Sequence, residues 1–128
     1  MRELMRKMCI FAFVTTLLLG GNKAFATVRY CTLNNEKRVE SQSCTVGNQN
    51  RYFVFSRHGQ YSNSSKMNVV FVEWNQSKKA YDSYTLGVLS RGVSNQWYPN
   101  ARNGLWAKIR LEAQNSKGSG AGSISNER

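Results

Sequence analysis

Leu105, Ala107, Ile109 and Leu111 alternate with Trp106, Lys108, Arg110 and Glu112. This two-residue apolar period predicts a β-strand with one face on a core and the other in water. Arg51-Tyr-Phe-Val-Phe-Ser-Arg57 and Asn68-Val-Val-Phe-Val-Glu-Trp74 are short runs of aromatic and β-branched residues bounded by Gly, Asn or Ser clusters, and both read as strands. Tyr81 to Leu89 continues the pattern, with Tyr84, Leu86 and Val88 on one side and Tyr81, Ser83, Thr85 and Gly87 on the other. Val28 to Val46 reads as a hairpin turning at Leu33-Asn34-Asn35.

Between these segments, Arg57-His58-Gly59, Ser62 to Lys66, Asn75 to Lys79 and Arg91 to Gly104 have turn or loop composition. Pro99 argues against a central strand in the last of them. After the N-terminal segment, apolar residues nowhere recur at three and four over three turns, so a long amphipathic helix is not expected. Residues 115 to 128 are rich in Gly and Ser and offer no anchoring side chain, so this segment is expected to be a disordered tail. The expected fold is therefore all-β: a small single-domain antiparallel sheet, sandwich or barrel-like, over residues 27–114.

The first 26 residues change the arithmetic. Arg2, Arg6 and Lys7 precede an apolar run from Met8 to Leu19, and Ala24-Phe25-Ala26 supplies small residues where a signal peptidase reads. The run is too short for a membrane span, which needs roughly 20 apolar residues. Cleavage after Ala26 is expected to give an exported protein, periplasmic or secreted, with no integral membrane segment. The leader holds four of the 18 Lys and Arg and one of the seven acids, so the remaining 102 residues carry a net charge of +8. That length suits one core and one domain. Cys31 and Cys44 remain, and an even count in an oxidising compartment predicts one disulfide clipping the N-terminal hairpin.

Cys31-x-x-Asn34, Cys44, Trp74-Asn75 and Leu86-Gly87-x-Leu89-x-Arg91 followed by Trp97-x-x-Asn100 together resemble a group of small secreted bacterial proteins of unknown function. In that group a third cysteine typically precedes the second tryptophan and a fourth lies in the final strand. The matching positions here are Gln96 and Arg110, so a second disulfide is absent as a pair. The resemblance implies export and a compact β fold, and no activity.

The catalytic inventory is thin. His58, in a turn setting that reads as solvent-exposed, is the sole histidine, and a ribonuclease-like site would need Glu73 as base, His58 as acid and Arg57 or Arg91 as phosphate clamp brought together. A glycosidase needs two carboxylates across a cleft, and the acids here are scattered. No Gly-x-Ser-x-Gly elbow occurs, and Gly118 to Gly122 lacks the Lys-Ser/Thr ending of a phosphate loop and reads as linker. One histidine without a second cysteine pair predicts no metal, and no cofactor is expected.

Binding is the better-supported class. Twelve of the 15 aromatics follow the leader, and Lys37-Arg38, Lys78-Lys79, Arg91, Arg102, Lys108 and Arg110 have few acidic neighbours in sequence. A basic surface interleaved with aromatics holds nucleic acid or other polyanions through phosphate contacts and stacking. The expected binding residues are Trp106, Lys108 and Arg110, spaced about 7 Å apart along one strand face, together with Arg91. The alternative for Trp106 is packing beneath the 91–104 loop. The expected function is a non-enzymatic exported binding protein whose partner is an anionic surface, a polyanion or an acidic protein. An exported inhibitor or toxin-type cell-binding subunit, and a small ribonuclease-like hydrolase, are the alternatives.

Overall fold

The computed structural model describes residues 27–47, 50–103 and 105–126, so the expected leader lies outside the described residues. Among them are nine strands and no helix: β1 (Val28–Glu36), β2 (Arg38–Glu40), β3 (Cys44–Thr45), β4 (Phe53–His58), β5 (Lys66–Asn75), β6 (Ala80–Ser90), β7 (Ser94–Trp97), β8 (Trp106–Ala113) and β9 (Gly118–Ser125). They form two antiparallel sheets, one in the order β1-β9-β4-β7 and the other β2-β8-β5-β6, with β3 pairing β8 beyond β2. The sheets pack face to face as an open sandwich. Most connections pass from one sheet to the other, and β5–β6 is a direct hairpin whose turn is held by Asn75 Oδ1 accepting from the Ser77 and Lys78 amides.

The inner layers follow the alternation. Ala107, Ile109 and Leu111 of β8 are buried, as are Met67, Val69 and Phe71 of β5 and Val54 of β4. The expected side assignment fails within β6. The β5–β6 register shifts between Val69, opposite Gly87, and Val70, opposite Thr85, so Leu86 is an extra residue. Such a bulge reverses the faces beyond it. Leu89 is consequently buried, and Val88 is 49% exposed instead of sharing the side of Tyr84.

The larger correction concerns residues 115–128, expected as a disordered tail. Gly118 to Ser125 is β9, an internal strand paired with β1 on one side and β4 on the other. Its glycines are packing residues. A Cβ on Gly120 would lie 2.7 Å from Met67 Sδ and 2.9 Å from the Arg57 carbonyl oxygen, and one on Gly122 would lie 2.9 Å from Ile109 Cδ1. Real side chains do not approach that closely. An inward face of glycine lets the opposite sheet press its larger side chains against the backbone of β9. The domain thus extends to the end of β9 and not to residue 114.

The N-terminal hairpin is likewise corrected. β1 runs without a turn through Leu33 and Asn34 and pairs with β9, whereas β2 and β3 lie along β8 in the other sheet. Cys31 and Cys44 are buried free thiols, so no disulfide clips the pair. The Cys44 thiol faces the Thr27 carbonyl at 3.3 Å. Burial pushes both thiols up to about 11, against a nearby Arg29 charge at Cys44, and keeps them protonated. The 91–104 stretch, read as loop, contains the short edge strand β7, which ends before Pro99.

Candidate functional site

The outer face of the five-stranded sheet carries the row predicted from sequence. Trp106, Lys108 and Arg110 are turned away from the core, and Trp106 does not lie beneath the 91–104 loop: it stacks on Trp74 of the neighbouring strand, with centroids 5.7 Å apart and planes inclined by 12°. Tyr81 meets Trp74 edge-on at 5.1 Å, so the three rings cross three strands. The cations are already engaged. Lys108 Nζ lies 3.2 Å from Glu40 and 4.5 Å from the Tyr81 ring centroid. Arg110 pairs with Glu112 at 2.7 Å and Glu40 at 3.4 Å, and Arg38 joins Glu112 at 3.4 Å. Beneath this ladder Val70 and Val72, which point outward from β5, are nevertheless buried. Long basic side chains cover apolar surface with their stems while the charged ends stay wet. The face is closed by its own side chains.

Arg91 belongs elsewhere. It follows Ser90, which pairs with Lys66, and its guanidinium donates to the carbonyls of Ser62 at 2.7 Å and Asn63 at 3.1 Å. Lys66 is eight residues from Trp74 along β5, roughly 26 Å at the strand rise. Arg91 therefore does not join the Trp106 row.

His58 and Glu73 do not meet either. His58 is fully buried, not a solvent-facing turn residue, with Nδ1 2.9 Å from the Leu89 carbonyl. Glu73 is buried at the far end of β5, where its carboxylate accepts from the backbone amides of Arg102 and Asn103 at 3.0 and 3.1 Å. Leu89 pairs with Met67, six residues from Glu73 and roughly 20 Å away. Glu73 is a clamp on the 99–103 loop. Among the described residues no three His, Cys, Asp or Glu side chains are grouped to hold a metal.

The outer face of the four-stranded sheet differs in kind. Its register aligns Tyr30, Ser123, Phe55 and Gln96 in one row, Thr32, Ala121, Arg57 and Ser94 in the next, and Val28, Ser125 and Phe53 in the one before. These rows hold no carboxylate. Tyr30 is 75% exposed and Phe55 38%. They stand on either side of Ser123, two strand spacings or about 10 Å apart. Tyr98, half exposed, meets Phe53 edge-on at 5.2 Å and lies under the Arg51 guanidinium, 5.5 Å from the ring centroid. The floor between the rings is serine and alanine, so these aromatics shield no apolar layer. Arg57 is exposed and, among the described residues, in no ion pair.

Sequence reasoning passed over this site because residues 51 to 57 are apolar on both faces of the strand: Tyr52 and Val54 alternate with Phe53 and Phe55. The available signal was the outer period itself, Arg51, Phe53, Phe55 and Arg57.

A cleft of about 450 Å³ opens where β1 and β2 part, lined by residues that include Arg29, Tyr30, Val39 and Glu40. It adjoins the aromatic face through Tyr30. Arg29 is tied across it by its Nε donating to the Ser43 carbonyl at 3.0 Å.

No protein-family profile matches the chain, and no curated protein matches it. Among solved structures it is similar to the mitogen derived from Yersinia pseudotuberculosis, with a TM-score of 0.43 and 7% sequence identity over 81% of this chain and 86% of that one.

Proposed function

We propose that this chain is an exported, non-enzymatic binding module for an anionic partner, and that the partner rests on the outer face of the four-stranded sheet. The observation that carries the reading is the combination of exposed rings with Arg51 and Arg57 beside three register rows that hold no carboxylate. A net charge of +8 after leader removal draws any polyanion toward the domain. The Trp106–Lys108–Arg110 row contributes to that field, but Glu40 and Glu112 spend its charges locally.

Retention on a heparin matrix tests this. Arg51→Ala with Arg57→Ala is expected to lower the salt concentration needed for elution, whereas Lys108→Ala with Arg110→Ala leaves it nearly unchanged once the equal loss of net charge is matched by a Lys78→Ala, Lys79→Ala control. The opposite ranking overturns the choice of face. A wild-type protein that does not bind heparin at physiological salt overturns the reading itself.

A further inference from the structure

The outer face of β4 and its approach place Arg51, Phe53, Phe55 and Arg57 at every second position. Six residues of extended chain separate the two arginines by roughly 20 Å, with the two rings between them. Tyr98 extends the ring set beside Phe53, and Tyr30 faces Phe55 across the Ser123 floor. Tyr30 and Phe55 are open to water, Arg57 is in no ion pair among the described residues, and Arg51 is held only over the Tyr98 ring. Exposed rings beside such guanidinium groups suit a ligand with planar faces and a charged backbone. Double-stranded nucleic acid buries its base faces, and a sulfated polysaccharide has no planar ring system. A single strand offers both features at once.

Resting on the binding-module reading above, we infer that the ligand of this face is single-stranded nucleic acid, its bases stacked on Phe55 and Tyr30, with Phe53 and Tyr98 packed beside them, and its phosphates held by Arg51 and Arg57. The arginine separation corresponds to a few nucleotides, at the lower end of the site sizes of single-strand-binding domains. Stacking on any base is equally available, so the preference is for strandedness and not for sequence. The guanidinium groups contribute a salt-dependent share of the affinity.

The test is fluorescence anisotropy with a labelled twelve-residue oligothymidylate, a fully abasic strand of equal length, a duplex of equal length, and heparin as competitor. Wild-type protein is expected to bind the oligothymidylate more tightly than either the abasic strand or the duplex. Phe55→Ala is expected to weaken oligothymidylate binding by roughly five- to a hundredfold, the range found for removing one stacking platform, while leaving abasic-strand and heparin binding unchanged. Phe55→Tyr, which keeps a ring, restores binding and separates lost stacking from lost folding. Arg57→Ala weakens all polyanions and lowers the slope of log affinity against log salt by about 0.7, one phosphate contact on a single strand. Equal binding of the oligothymidylate and the abasic strand, with Phe55→Ala silent, overturns the nucleic-acid inference and leaves a polyanion module. Loss of heparin binding in the wild type removes both.

Discussion

Gly120 occupies the middle of β9 with its absent side chain directed at the opposite sheet, so Gly120→Ala probes whether this glycine-rich strand is a packed layer. The added methyl would meet Met67 Sδ at 2.7 Å and the Arg57 carbonyl oxygen at 2.9 Å. Met67 is fully buried, and the Arg57 carbonyl belongs to the paired neighbouring strand, so neither moves without disturbing the core. Overpacking of this kind costs about 1–3 kcal/mol. Against that, alanine restricts the unfolded chain and gains about 0.4–1 kcal/mol where the native backbone tolerates it. The overlap wins, and the expected net loss is about 1–2 kcal/mol, a fall in midpoint of roughly 5–15 °C for a domain of this size. Gly122→Ala should cost less, because its nearest neighbour at 2.9 Å is the mobile end of the Ile109 side chain. Ala121→Ser, on the outward side of the same strand, should stay within about 0.5 kcal/mol. Thermal unfolding followed by tryptophan fluorescence reads all three. An unchanged or raised midpoint for Gly120→Ala, as an unpacked glycine would give, refutes the packing argument.

Deleting residues 115–128 removes the strand that joins β1 to β4, so the shortened chain should lose cooperative unfolding, seen as a flattened urea transition. Glu73→Gln leaves one acceptor oxygen for the amides of Arg102 and Asn103 and should cost about 1–3 kcal/mol, with faster amide exchange at those two positions by NMR. Cys31 and Cys44 should resist a thiol reagent in the folded protein and react when unfolded; a mass two hydrogens below the fully reduced value would contradict their free state. Because burial raises both thiols from 9.0 to about 11, their protonated forms favour the fold fully below about pH 9, and that contribution is lost as pH rises toward 11. The alkaline fall in stability should therefore be smaller in Cys31→Ala, Cys44→Ala protein.

The β8 strand was legible because its alternation is one-sided: Ala107, Ile109 and Leu111 against Lys108, Arg110 and Glu112 leave one choice of inner face. The β5 and β4 strands were legible as strands from their β-branched and aromatic runs, but their outward faces were not. Both sides of 68–74 and of 51–57 are apolar, and periodicity carries no preference when neither side is polar.

What the chain alone determined was the all-β class, the positions of β4, β5, β6 and β8, and the basic balance, since each depends on residues within one short window or on a simple count. Strand partnership depended on groups far apart in sequence. The glycines of β9 resemble a linker until Met67 and Ile109 stand opposite them, and β1 finds its partner some 90 residues away instead of in the hairpin beside it. The bulge at Leu86 reverses two faces through a pairing decision invisible to the local pattern. The same holds for the site: Lys108 and Arg110 are basic in sequence, yet Glu40, brought alongside by β2, pairs with both. Arg57 keeps its charge unshared because sheet closure sets serine and alanine across from it. Alternation specifies which side of a strand a residue occupies, whereas its neighbours are settled by tertiary closure.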